Sequence, residues 1–268
     1  MAYMIKSLYC DTFLYRRGFM RRKINHEKLL TISLLPAMWL IYFLFEIITG
    51  RVKDSYTFIL NLSLIFVFAF TGWIIYYFSQ KYSKGINSKR LFFIFFILML
   101  LDQGIKIIIK FFFFEKYFEI IPNFLSFNPI INSDGSWLNA RFGAGVSFPL
   151  LIIINILALI IFIEVYRYFL SKGTKNFWSD LCFLFIFCGA LCSLIDKVFY
   201  GGSLDFIGIS NLFVADIKDI YINIGILFFI MCVYTSGYLS DEEDTSLKED
   251  IDGIKRFLSF IKKDLFKI

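Results

Sequence analysis

The sequence predicts an all-α integral membrane protein with six transmembrane helices and a small extracytoplasmic loop element rich in β-structure. Hydrophobic residues make up 58% of the 268 residues, Phe occurs 36 times, and the mean hydropathy is +0.69. A soluble domain needs a polar surface and stays well below this composition. Six apolar stretches are long enough, at about 1.5 Å per residue, to cross a hydrocarbon core about 30 Å thick. They lie at 29–49, 57–79, 91–114, 148–170, 177–195 and 219–239.

Lysine and arginine are unevenly distributed between the connections, which predicts the orientation of the chain. Twenty of them lie in 1–28, 80–90, 167–176 and the tail after residue 240. Six lie in 51–56, 115–147 and 196–218. Because basic loops stay in the cytoplasm, both termini are expected there and the second group of connections outside.

The first 30 residues are basic throughout, so we expect no cleavable signal peptide and a first apolar segment that remains as a helix.

The cysteines and the single histidine indicate no metal chemistry. Four of the five cysteines fall within predicted spans, where they are expected to act as small apolar packing groups. His26 stands by itself in the basic tail, so neither a metal site nor a cofactor is expected. The net charge of +6 comes mostly from the tails. Anionic lipid headgroups are its expected partners, and nucleic acid is not.

Polar residues divide the chain into three segments. Residues 1–90 form a basic tail and an appended two-helix membrane hairpin, and residues 91–240 hold four spans with nearly all the intramembrane polar residues. Within the second segment, the connection 115–147 alternates apolar and polar residues, which predicts short strands outside the bilayer. Residues 241–268 repeat Ile and Leu at helical spacing with lysines between them, which predicts an amphipathic helix on the cytoplasmic leaflet. A helix that docks on a partner would show the same pattern.

Charged residues near the third and fifth spans form two candidate pairs. Asp102 lies deep in the third span and shares a helical face with Lys106, so the two can pair inside the bundle. Asp196 and Lys197 end the fifth span, where a charged pair is usually an interfacial stop. Both pairs therefore have a purely structural interpretation.

Three further acids lie between the fifth and sixth spans. Asp205 follows a Gly-Gly turn among apolar residues, and burial there would raise its pKa toward the range useful for proton transfer. Asp216 and Asp219 open the last span, where capping and the helix dipole favour acids without any catalytic role. Taken together, carboxylates from separate segments at one depth point to aspartic chemistry. One ionised carboxylate takes a proton from water while its protonated partner donates to the scissile carbonyl.

Five short motifs follow one another between residues 91 and 239. They are DQGIK (102–106), IIPNF with NSDGSW (120–124, 132–137), GALCSLIDK (189–197), GGSLDFI (201–207) and ADIKDIYINIG (215–225). In this order they resemble D-Q-x-x-K, N-x-G-A-A-F with one extra residue, G-A-L-G-N-L-I-D-R, G-x-V-V-D-F-I and F-N-x-A-D-x-x-I-x-x-G. These are the motifs of bacterial lipoprotein signal peptidase (signal peptidase II, prolipoprotein signal peptidase), an intramembrane aspartic endopeptidase.

The last motif can be aligned in two ways. Matching D-x-x-I-x-x-G to Asp219, Ile222 and Gly225 makes Asp219 the family aspartate and puts Asp216 at the Asn position. A literal match of V-A-D makes it Asp216 instead. We favour Asp219, because the downstream Ile and Gly match only in that alignment.

The resemblance implies that Asp205 and Asp219 are the catalytic pair, sharing one proton and activating water. It implies supporting or substrate-binding roles for Asp102, Lys106, Asn132, Gly135, Ser193, Asp196, Lys197 and Asp216. Three of these depart from the family pattern. Ser193 replaces an Asn, Lys197 replaces an Arg and so loses a bidentate fork, and Asp216 adds a third acid beside the pair.

The resemblance also implies a function. A peptidase core at 91–240 would remove the signal peptide from diacylglyceryl-modified prolipoproteins, cutting before the lipidated cysteine. The protein would act as a monomer in the bacterial cell membrane, with its active site at the outer leaflet. Two alternatives remain: a proton-coupled carrier that uses Asp102 and Lys106 as its relay, and a non-catalytic scaffold derived from the peptidase. The N-terminal hairpin lies outside the resemblance.

Overall fold

Six helices of the computed structural model are long and apolar enough to cross a membrane, which confirms the predicted spans. The structure describes residues 2–133, 139, 143, 145–236 and 247–266, with side chains from residue 25 onward except at 247–250 and 265–266. The spanning helices are α1 (Ala2–Ile48), α2 (Ser55–Lys81), α3 (Ser88–Ile108, continued by a π-helical turn at Ile109–Phe113), α4 (Phe148–Ser171), α5 (Phe177–Phe199) and α6 (Ile217–Thr235). A further helix, α7 (Leu247–Phe266), follows them.

A four-stranded antiparallel sheet lies between the ends of these helices, in the order β1-β2-β3-β4. Its first two strands, β1 (Phe118–Ile121) and β2 (Leu125–Asn132), fall in the loop where the sequence predicts them. The sheet extends beyond that loop through β3 (Ser203–Ile209) and β4 (Phe213–Ala215). In the β2–β3 ladder Asn132 is opposite Ser203 and Ile130 is opposite Asp205. The sheet therefore joins two distant loops and brings Asn132 beside the strand that carries Asp205.

Helices α5 and α6 pack closely, and the chain between them forms β3 and β4. Gly225 of α6 lies directly against α5, since a Cβ atom there would come within 2.6 Å of Ile186 Cγ1 and 3.2 Å of the Ile186 backbone nitrogen. Small residues let membrane helices approach in this way. The close approach sets the first turn of α6 beside the last turns of α5, and this is where the acidic residues meet.

The N-terminal hairpin of α1 and α2 is docked on the rest of the molecule through the β3–β4 turn. Arg51 donates to the Asn211 carbonyl oxygen at 2.7 Å, and Asn61 Nδ2 donates to Ser210 Oγ at 3.0 Å. The Phe213 ring packs edge-on against Tyr42 at 5.3 Å between centroids. The hairpin therefore supports the chain segment that separates Asp205 from Asp216 and Asp219.

The amphipathic helix α7 packs against the end of α4. Arg167 donates to Asp264 at 2.7 Å, and the Phe257 ring lies 5.3 Å from that of Tyr168. This packing leaves an apolar stripe exposed at Ile251, Ile254 and Leu258. That the stripe lies on the cytoplasmic leaflet stays a prediction.

Close packing of α1 on α2 gives a test of the hairpin. A Cβ atom at Gly72 would lie 2.6 Å from the Thr31 carbonyl oxygen and 2.9 Å from Ile32 Cα. Gly72→Ala must push the two helices apart, so we expect the free energy of unfolding to fall by about 1–3 kcal/mol. The midpoint of thermal unfolding in detergent, followed by circular dichroism, measures this change.

Gly104→Ala is the matched control, because the nearest heavy atom to the added Cβ is Leu100 Cγ at 4.0 Å. Removing a glycine from a helix without a clash should leave the protein as stable or stabilise it by about 0.5–1 kcal/mol. Equal midpoints for the two alanine variants would contradict the close approach of α1 and α2.

Candidate active site

Five carboxylates and two ammonium groups meet where α3, α5, α6 and β3 come together. They are Asp102, Lys106, Asp196, Asp205, Asp216, Lys218 and Asp219. All except Asp219 are buried, with 5% or less of their surface exposed. Buried charges are stable only when paired and hydrogen-bonded, so the contacts within this cluster decide what each group can do.

Lys106 is the centre of the buried part of the cluster. Its Nζ lies 3.1 Å from Asp102 Oδ2, as the helical spacing predicts, and also 2.6 Å from Asp196 Oδ2 and 2.5 Å from Asp216 Oδ2. Gln103 Nε2 donates to Asp102 at 2.9 Å and to Asp196 at 3.0 Å. One ammonium thus ties three acids from three chain segments together.

The expected pairing of Asp196 with Lys197 is wrong. Asp196 is buried against Lys106, with 1% of its side chain exposed, and so pairs within the cluster. Lys197 Nζ instead donates to Ser193 Oγ at 2.6 Å, one helical turn earlier. Consecutive residues of a helix point about 100° apart, so neighbours in sequence do not share a face.

Asp205 lies on β3 with 4% of its side chain exposed. Its Oδ1 accepts a hydrogen bond from Ser203 Oγ at 2.5 Å, and its Oδ2 accepts one from Asn132 Nδ2 at 3.2 Å. Burial raises the pKa of Asp205, although Lys218 and these two donors oppose the shift. The β2–β3 ladder therefore supplies the contact expected of Asn132.

Asp216 and Asp219 form a capping box at the start of α6, as the structural interpretation of these residues expects. Asp216 Oδ1 accepts from the Asp219 backbone N–H and Asp219 Oδ2 accepts from the Asp216 backbone N–H, each at 3.2 Å. Their surroundings differ, because Asp216 is fully buried whereas Asp219 has 41% of its side chain exposed. Water can therefore reach Asp219 but not Asp216.

Lys218 is a central residue of the site that the sequence analysis missed. Its Nζ lies 2.5 Å from Asp216 Oδ2, 3.7 Å from Asp205 Oδ1 and 3.8 Å from Asp219 Oδ1, and it donates to Ser203 Oγ. In the sequence analysis Lys218 was used only as one of the six basic residues in the connections predicted to lie outside. The available signal was the alignment on Asp219, in which Lys218 takes the Ala position of F-N-x-A-D while Asp216 takes the Asn position.

Asp205, Asp216 and Asp219 each have a carboxylate oxygen within 4.8 Å of the other two. Such a group of acids can hold a metal ion, but here Asp216 already binds the ammonium groups of Lys106 and Lys218, at 2.5 Å each. Burial by itself would raise the pKa of Asp216, and the two lysines outweigh it and hold that pKa below its ordinary value. The positive charge that this acid needs therefore comes from lysine side chains.

Of the residues predicted for the site, Gly135 and most of the NSDGSW motif lie outside the described residues. Ser193 is half-buried on α5 and accepts from Lys197. The structure brings the remaining predicted residues, apart from Lys197, into one connected cluster.

Removing the Lys106 ammonium tests this cluster. Lys106→Met keeps the length of the side chain but leaves three buried carboxylates without their shared cation, and breaking a buried pair costs about 3–5 kcal/mol. We expect the midpoint of thermal unfolding in detergent to fall strongly. The control is Lys89→Met at the start of α3, where the side chain is exposed. A Lys106→Met protein as stable as this control would contradict the arrangement.

Comparisons with known proteins cover the part of the chain that contains this cluster. The family model described as signal peptidase (SPase) II matches residues 94–235. The lipoprotein signal peptidase of Staphylococcus aureus is 27% identical over 138 residues, covering 50% of this chain and 75% of the relative. That of Staphylococcus haemolyticus is 25% identical over 123 residues, covering 43% and 72%.

Two solved structures are also similar to the chain. Both are described as bacterial membrane enzymes solved by the in meso method and are 24% identical to it. Their TM-scores are 0.49 and 0.46, and the matches cover 62% and 57% of this chain and 99% and 96% of theirs. The family model spans more than half of the chain and includes every charged residue of the cluster, and the protein therefore belongs to the signal peptidase II family.

Proposed function

We propose that the protein is an aspartic endopeptidase that removes the signal peptide from diacylglyceryl-modified prolipoproteins, cutting before the lipidated cysteine. Membership of the signal peptidase II family supports the substrate class, and its staphylococcal relatives are named lipoprotein signal peptidases. The observation that carries the proposal is the approach of Asp205 to Asp219, whose carboxylate oxygens come within 4.8 Å. The two residues belong to β3 and α6, separate elements that the fold brings together.

The distance between these carboxylates is short enough for one water molecule to bridge them. Hydrogen bonds of about 2.8 Å on either side of a water reach oxygens up to about 5.6 Å apart, which includes this gap. Asp219 is the accessible member of the pair and is suited to take a proton from water. Asp205 is the buried member, with 4% of its side chain exposed, and because burial favours the neutral form of a carboxyl group it is assigned the proton that the scissile carbonyl receives.

The proposed reaction has two steps, and in each step the pair accepts one proton and donates another. Asp219 accepts a proton from the water as the water oxygen attacks the carbonyl carbon, and Asp205 donates its proton to the carbonyl oxygen. The resulting diol collapses when Asp219 protonates the peptide nitrogen and Asp205 takes back a hydroxyl proton. The C–N bond breaks, and the pair returns to one proton shared between two carboxylates.

Asp219 is better placed than Asp216 to be the second catalytic acid. Both oxygens of Asp216 are engaged, one by the Asp219 backbone N–H and the other by Lys106 and Lys218. A fully buried, doubly paired carboxylate neither meets water nor gains a proton easily. The geometry thus supports the alignment of the motif on Asp219.

Residues 91–240 are proposed to form the catalytic core. Residues 1–90 are proposed to support this core through the β3–β4 turn. The excess of Lys and Arg in the tails supports cytoplasmic termini and a site at the outer leaflet. The protein acts as a monomer among membrane lipids, and 241–268 lies on the cytoplasmic leaflet.

A proton-carrier role is less well supported, since Asp102 and Lys106 are both fully buried and paired.

Replacing either proposed catalytic acid tests the function. Asp205→Asn and Asp219→Asn each keep the shape of the side chain but remove a group that must exchange protons. We expect each variant to lower kcat at least about 100-fold. The assay uses purified protein in detergent and a precursor peptide carrying a diacylglyceryl cysteine, with an unmodified peptide as the substrate control.

Asp252→Asn serves as the matched protein control, because this acid lies on α7 with 44% of its side chain exposed. It should cleave the peptide like the wild type. Thermal unfolding of all variants verifies that loss of cleavage is not loss of folding. Full cleavage by the Asp205→Asn protein would rule out the proposed mechanism.

The pH dependence of kcat/KM gives a second test. At low pH both carboxylates are protonated and neither can act as the base, and at high pH the pair loses the proton that it must donate, so a bell-shaped profile is expected. Because the pKa of Asp205 is raised, the alkaline limb should lie well above the ordinary aspartate value of about 3.9. A rate that keeps rising with pH would contradict an acid–base pair of carboxylates.

A further inference from the structure

The ammonium group of Lys218 stands beside the proposed catalytic pair, where a cation would normally stop the pair from keeping a proton. A lysine in direct contact with two carboxylates favours the ionised form of both. In the structure Lys218 Nζ hydrogen-bonds to Asp216 at 2.5 Å and makes only longer ion pairs with Asp205, at 3.7 Å, and Asp219, at 3.8 Å. The last two distances exceed hydrogen-bond length.

We propose that Asp216 and Lys218 act as one positioning unit, in which Asp216 keeps the Lys218 ammonium beyond hydrogen-bond distance of Asp205 and Asp219 so that those two can keep their shared proton. The unit acts through the catalytic pair and does not touch the scissile bond. This inference rests on the proposed peptidase function.

Asp216 is well fixed for this role. Its Oδ2 binds Lys106 at 2.5 Å in addition to Lys218, and its Oδ1 caps α6 through the Asp219 backbone N–H. The backbone of Lys218 is fixed as well, since its N–H donates to Asp102 Oδ1 at 3.0 Å. The carboxylate and the lysine therefore cannot move apart without disturbing the start of α6.

Ser203 links the unit to the catalytic pair. Its Oγ accepts from Lys218 Nζ and donates to Asp205 Oδ1 at 2.5 Å. The lysine thus acts on Asp205 through a hydroxyl group as well as through space. The charged groups that face Lys218 are Asp102 and Lys106 of α3, Asp196 and Lys197 of α5, Asp205 of β3, and Asp216 and Asp219 at the start of α6.

Charge balance predicts opposite effects for the two single substitutions. Asp216→Asn removes a negative charge and leaves the Lys218 ammonium free to pair with Asp205 and Asp219, so the shared proton is lost more easily. Lys218→Met removes the positive charge and leaves Asp216 facing the pair, so the proton is held more tightly. Because Asp216 and Lys218 together are neutral, replacing both restores the original charge beside the pair.

The test measures kcat/KM against pH for the wild type, Asp216→Asn, Lys218→Met and the double variant, with the lipid-modified precursor peptide. We expect the alkaline limb to move to lower pH in Asp216→Asn and to higher pH in Lys218→Met, each by at least about one pH unit. The double variant should lie between them, close to the wild type. Asparagine keeps the capping oxygen at residue 216, so α6 is expected to start normally.

Lys53→Met is the control for loss of a lysine on the outer side, because that side chain is exposed; its profile should match the wild type. Single variants that leave the alkaline limb in place, or that move it in the same direction, would overturn the inference. So would a double variant whose shift exceeds that of both single variants.

Failure of this inference can be told apart from failure of the proposed function. A wild-type protein that does not cleave the peptide removes the peptidase proposal, and the unit is then tested by thermal unfolding of the same four proteins. If Asp216 and Lys218 form one unit, the loss of stability in the double variant is smaller than the sum of the two single losses. Additive losses would show that the two residues are independent.

Discussion

Contact of one buried ammonium group, that of Lys106, with three carboxylates holds the functional end of the molecule together. Asp102 comes from α3, Asp196 from the end of α5, and Asp216 from the cap of α6. Buried acids are stable only when they are paired and hydrogen-bonded, and this ammonium group pairs with all three of them. The same contact fixes the start of α6, and with it the positions of Lys218 and Asp219.

Beyond this buried centre, the site becomes progressively more open. Asp205 is still almost completely enclosed, yet its two hydrogen-bond donors, Ser203 and Asn132, come from strands outside the helical bundle. Asp219 is two-fifths exposed. Two chemically identical side chains thus differ in their access to water, since 4% of the Asp205 side chain and 41% of the Asp219 side chain are exposed. The sheet contributes this asymmetry, because it covers one carboxylate and not the other.

Sequence patterns predicted the features that depend on local composition. Hydropathy identified six spans, and the spacing of four residues between Asp102 and Lys106 identified their contact. Features that depend on distant pairing were not predicted: β3 and β4 are short, and their partner β2 lies in another loop. Asp196 was assigned to the wrong neighbour for the same reason, since its partners are on other helices. Lys218 escaped notice because a lysine beside an acid at a membrane surface is ordinary in sequence.

The docking of the β3–β4 turn on the N-terminal hairpin has a consequence for biogenesis. Asn61 and Ser210, which bond to each other, are 149 residues apart in the chain. During synthesis the hairpin leaves the ribosome long before the turn, and Arg51 and Asn61 cannot bond to the turn until the turn itself has been made. Until α6 has inserted, Asp219 has no fixed place and the carboxylates cannot meet. A nascent chain therefore carries no assembled site while it is still being threaded into the membrane.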